Sequence, residues 1–147
     1  MENSKKLEVA AKIFATKLIH CVMSKDYPDW ILEAAFEDYN CFPECMQKKM
    51  ENICQLNSYP FWMEFCQSFA GKEKTKVTFE KFCFCMSSII QQEEVNKERF
   101  LNYACKLAVF SSYMYRNCTE APNIAISHIT NVLFKRYPDL LQNKPIE

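Results

Sequence analysis

In a chain of 147 residues, 18 basic side chains balance 18 acidic ones, so no net field gathers phosphates or an anionic membrane surface, and nucleic acid is not an expected partner. Hydrophobic residues make up 49% and aromatics 14%. That is enough for one domain over 1–147 to stand on apolar burial without a metal or disulfide staple. Only one glycine occurs, which disfavours hairpins and phosphate-cradling loops and points to an all-α fold.

The first predicted helix carries Leu7, Ala11, Phe14, Leu18 and Cys21 on one face, with Lys6, Glu8, Lys12 and Lys17 largely elsewhere. Pro28 and Asp29 open a second predicted helix through Trp30, Ile31, Ala34 and Ala35, fading near Asn40 to Pro43. Pro43 opens a third, with Met46, Met50, Ile53 and Cys54 along one side. Ser58-Tyr59-Pro60 starts a fourth through Phe61, Phe65 and Phe69, closed by Gly71 and the charged "KEKTK". From about Val77 to Gln91 apolar residues fall on nearly every side, which predicts a central helix buried all round. After "QQEEVNKE", Phe100 to about Asn117 reads as a long helix, Pro122 opens another through Ile129 and Leu133, and "YPDLL" adds a short final turn.

The nine cysteines are an odd count, and the N-terminus breaks its apolar pattern with charge, so free thiols in a reducing, cytoplasmic setting are expected. A membrane span is not expected, because the apolar runs fall short of about 20 residues. Asn117-Cys118-Thr119 fits a glycosylation acceptor but is expected to be silent there. Lys72, Lys74 and Lys76 read as a wet loop. Cys41 and Cys45 have no second matched pair, and Cys83 and Cys85 would point about 200° apart on a helix, so neither a metal nor another cofactor is expected. His20-Cys21, His128 and the acid pairs lack the surroundings of a nucleophile or an acid-base dyad, so the chain is not expected to be an enzyme.

The stretch from Val77 to Asn117 resembles the central helical hairpin of the Bcl-2 family, where an "NWGR" motif opens a buried helix followed by an amphipathic partner. "TFEK", Thr78 to Lys81, stands in register with the motif, with "FCFCMSSII" and "RFLNYACKLAVFSSYMYRN" as the two helices. Phe79 replaces the motif tryptophan and Glu80 its glycine, and the glycine-glycine-tryptophan signature is absent around Pro122 to Ser127. This divergence looks like a viral member, from a large DNA virus of the iridovirus kind.

The resemblance implies a Bcl-2-like bundle with a buried central hairpin and a hydrophobic ligand groove. The implied function is inhibition of apoptosis by sequestering the BH3 helix of a pro-apoptotic host protein, Bim-type foremost, in the cytoplasm or recruited to mitochondria through partners. A rival within the same fold is an adaptor-binding inhibitor of innate immune signalling that binds no BH3 helix. Lys81 takes the place of the motif arginine and is expected to receive the ligand aspartate, less firmly than a planar guanidinium would. Glu80 would repel that aspartate unless it turns aside, which implies a narrow partner range. Phe36, Tyr39, Met46, Met50, Phe65, Phe69, Cys83 and Phe84 are the candidate groove walls, with ordinary core packing as the alternative for each. An empty apolar groove is also compatible with a homodimer that covers it.

Overall fold

The computed structural model describes residues 2–28, 30 and 44–141. Six α-helices lie among them: α1 (Glu2–Asp26), α2 (Glu44–Leu56), α3 (Ser58–Ser68), α4 (Lys76–Gln92), α5 (Lys97–Met114) and α6 (Ala121–Arg136). A 3-10 turn, Pro138–Leu141, follows, and no strand occurs among the described residues. The all-α expectation is met. Of the helix expected from Pro28, residues 31–43 lie outside the described residues, Pro43 among them.

Local chemistry sets the helix ends. Thr75 Oγ1 accepts the Thr78 backbone N–H at 3.3 Å while Thr78 Oγ1 accepts the Thr75 N–H at 2.9 Å, a reciprocal pair that satisfies two otherwise orphaned donors at the start of α4. Asn96 Oδ1 accepts the Arg99 N–H at 3.1 Å and starts α5. Pro122 stands in the first turn of α6, where its missing N–H costs nothing. Gly71, at φ 71°, turns the chain between α3 and α4, in the left-handed region that disfavours a side chain. At the other end of α4, the Arg136 guanidinium from α6 donates to the Gln91 carbonyl and, at 2.8 Å, to the Glu93 carbonyl, so it satisfies one of the acceptors that the helix end leaves open.

The central helix is α5. It buries residues on every side, from Phe100 and Leu101 to Phe110 and Met114, and packs against α1, α2, α3, α4 and α6. α1 packs against α6, and α4 packs against α6 and α5. The small side chains Ala104, Ala108, Ser111 and Ser112 are buried on α5, so neighbours approach its backbone closely. The two serine hydroxyls return their protons to the Ala108 and Val109 carbonyls at 2.7 Å, so they are buried without an unpaired donor.

This corrects the expectation that the Val77–Gln91 segment is buried all round. α4 buries only Phe79, Cys83, Ser87 and Ile90, spaced four, four and three apart along one stripe. Val77, Phe84 and Ile89 are 61%, 65% and 51% exposed. α4 sits at the edge of the bundle, so its remaining apolar residues look outward, while α5 hides its burial behind serines, cysteine and alanine.

Candidate functional site

The outward flank of α4 forms one side of a trough. One cavity, of about 380 Å³, lies between α4 and the end of α3, lined by Phe69, Lys72, Lys81, Phe82, Cys85 and Met86 among others. A second, of about 400 Å³, lies between α4 and the first half of α5, where Met86, Ile89, Ile90 and Tyr103 supply apolar surface and Glu93, Glu98, Arg99, Asn102 and Lys106 a polar rim. Met86 lines both.

Ion pairs brace the trough. Lys106 of α5 reaches Glu64 of α3 at 3.0 Å, and Lys49 of α2 reaches Glu98 of α5 at 2.7 Å. Arg99, Lys72 and Lys81 have no acidic partner within 4.0 Å among the described residues. The rim therefore offers uncommitted cations at both ends.

The sequence candidates separate into groups. Lys81 and Phe69 line the first cavity. Met50, Phe65 and Cys83 are buried in the core, and Met46 packs partly buried against it. For Met50 and Cys83 the core alternative describes their surroundings. Phe84 projects outward from α4. Phe36 and Tyr39 lie outside the described residues. Arg99, Met86, Ile89, Tyr103 and Lys106 were missed. Asn96 three residues ahead marks a helix start, which places Arg99 in the first turn of α5 but does not by itself single it out.

Glu80 turns away from the trough and pairs with His128 Nε2 of α6. The other imidazole nitrogen, Nδ1, is 3.2 Å from Ser87 Oγ, which is 2.7 Å from the Tyr103 hydroxyl. A polar chain thus runs Tyr103, Ser87, His128, Glu80 across three helices. It has the residue types of a hydrolytic triad, but Ser87 is buried, is engaged by Tyr103 and lines neither cavity of the trough. Its effect is to tie α4 to α5 and α6. Ser87→Ala is expected to destabilise the protein by about 1–3 kcal/mol, because the buried Tyr103 hydroxyl loses its partner. Urea unfolding checks this, and Tyr103→Phe in the Ser87→Ala background should recover part of the loss.

Burial also sets the alkaline limit. It pushes the Cys21 thiol from 9.0 up to about 11, aided by the Glu51 carboxylate that accepts its proton at 3.5 Å. Burial raises Cys83 and Tyr103 as well. Above about pH 9 the unfolded chain releases thiol protons that the folded chain retains, so the unfolded state binds fewer protons and stability falls with rising pH. The contribution is fully present below pH 9 and is lost as pH rises through 11 at Cys21. Denaturation midpoints at pH 8, 9.5 and 10.5 should therefore decline in that order. A flat profile would contradict the assignment.

No helix among the described residues is long and apolar enough to cross a membrane. No group of three or more potential metal-ligating side chains is found among them either. No protein-family model, curated protein or solved structure matches the chain.

Proposed function

We propose that the protein holds an amphipathic BH3 helix of a pro-apoptotic host protein, Bim-type foremost, in the α4 trough and thereby opposes apoptosis, without catalysis or a cofactor. The observation that carries this reading is the pair of cavities along α4 that share Met86 as a lining residue, with unpaired Arg99 at one of them. An amphipathic helix lays its apolar stripe into such a groove through residues one turn apart. Methionine, unbranched and polarisable, can repack around it.

The motif named above opens the buried helix of its family, and here the helix buried on all sides is α5. Asn96-Lys97-Glu98-Arg99 opens α5, and we take Asn96 and Arg99 for the motif's asparagine and arginine, one helix later than the register on Thr78 and Lys81. On this register the ligand aspartate meets Arg99, which restores the bidentate fork that lysine lacks. Lys72 and Lys81 stand at the opposite end and favour further acidic residues on the ligand's polar flank.

Calorimetric titration with a Bim-type peptide tests the proposal. Saturable binding is expected, and Met86→Glu, which places a charge at the residue that lines both cavities, should abolish it. Absence of saturable binding to either monomer or dimer would overturn the reading and favour an adaptor-binding inhibitor of innate signalling.

A further inference from the structure

α3 buries Phe61 and Phe65 on one side and turns a second apolar face to solvent. Tyr59, Met63 and Cys66, four and three residues apart, share that outward face. Tyr59 and Met63 are 70% and 39% exposed, Trp62 beside them is 47% exposed, and Leu56 just ahead of the helix is 73% exposed. The one charged side chain of α3, Glu64, is held by Lys106 of α5 at 3.0 Å. An exposed helix face without a free charge marks an interaction surface rather than a solvated one.

Cations border this face. Trp62 lines a cavity of about 370 Å³ together with Tyr27, Tyr113, Lys74 and Arg116. The indole stands edge-on to the Tyr113 ring at 5.0 Å, and Lys74 Nζ is 6.0 Å from the centroid of the Phe65 ring. Lys74 and Arg116 are exposed and have no acidic partner within 4.0 Å among the described residues. Asp26 is the one acid in that lining, against two cations. The loop that leaves α3, from Gly71 to Lys76, adds Lys72 and Lys76 and only Glu73 in opposition.

We propose that the outward face of α3 docks on an anionic lipid surface, with Tyr59, Trp62 and Met63 entering the boundary between headgroups and acyl chains and Lys74 and Arg116 facing the lipid phosphates. Tyrosine and tryptophan suit that boundary because each joins an apolar ring to a polar tip. An apolar helix face flanked by lysine or arginine adds charge attraction to apolar burial, and neither alone has to hold the protein. The balanced total charge does not oppose this, because a membrane senses charges within a Debye length of it, about 10 Å at 0.1 M salt. A second copy of the chain fits less well: its α3 would bring no free carboxylate to these cations, since Glu64 is already engaged.

Co-sedimentation of the full chain with phosphatidylcholine vesicles, with and without phosphatidylserine, tests the proposal. Binding is expected to the anionic vesicles, to weaken as salt is added, and to shift Trp62 emission to the blue in a Trp30→Phe chain. Met63→Glu should lower binding by about tenfold or more, and so should Lys74→Glu combined with Arg116→Glu. These side chains are exposed, so the variants should melt with the parent chain. The vesicle preference and the emission shift do not depend on those substitutions. Absence of binding to anionic vesicles, equal binding to both kinds, or full binding by Met63→Glu would overturn the proposal. A dimer that Met63→Glu dissociates, in a chain that ignores vesicles, would assign the face to a second copy instead. The cavity beside Trp62 shares no lining residue with the two along α4, so Met63→Glu should leave titration of the Bim-type peptide unaltered and either reading can fail alone.

Discussion

Arg99→Glu is expected to weaken capture of a Bim-type peptide by about tenfold to a hundredfold, or roughly 1.4–2.8 kcal/mol. Arg99 follows Asn96 in the first turn of α5 and is held on the trough rim with no acidic partner among the described residues. Its side chain is exposed, so simple loss of the charge would be worth only about 0.2–1 kcal/mol. Reversal adds repulsion between the new carboxylate and the ligand's acid, beside Glu93 and Glu98, which already line that cavity. Lys81→Glu, at the far cavity, should cost less than Arg99→Glu. Peptide titration of both variants decides between the two registers. A large loss at Lys81 with native-like affinity at Arg99 would return the motif to Thr78–Lys81.

Phe110→Ala should remove about 3–5 kcal/mol of stability, a large share of the roughly 5–15 kcal/mol of a marginally stable domain. The Phe110 ring is fully buried, stacks on Phe82 of α4 at 4.8 Å and meets Phe65 of α3 edge-on at 5.3 Å. Truncation therefore opens a cavity where α3, α4 and α5 join and weakens the support beneath the Phe82 wall of the trough. Phe84→Ala deletes the same atoms from a side chain that is 65% exposed and should change stability by only about 0.5 kcal/mol or less. Urea unfolding of the pair separates core burial from mere aromaticity. Equal losses at the two positions would contradict the placement of α4 at the bundle edge.

Helix chemistry was legible at particular residues. The scarcity of glycine, the four-and-three spacing from Leu7 to Leu18, Gly71 after α3 and Pro122 at the start of α6 each act within a few residues, where propensity and hydrogen-bond geometry operate. Of the expected face of α1, Ala11, Phe14 and Leu18 are buried and Leu7 and Cys21 partly so, while Ala10, Ile13, Ala15, Ile19 and Met23 widen the buried surface beyond it. That Cys83 and Cys85 point apart followed from helical rotation, but that Cys83 is the buried one did not.

The amino-acid order by itself determined that the described chain is helical and where most helices begin and end. Only the tertiary structure decided that α5, rather than α4, is the buried centre. A run such as "FCFCMSSII" states how apolar a helix is but not how many neighbours surround it, whereas "NYACKLAVFSS" looks mixed although five helices close over it. The same limit governed the candidate site. Cys83 and Lys81 are two residues apart, yet one is in the core and the other on a cavity rim, because the direction of a side chain acquires meaning only when another helix is packed against it.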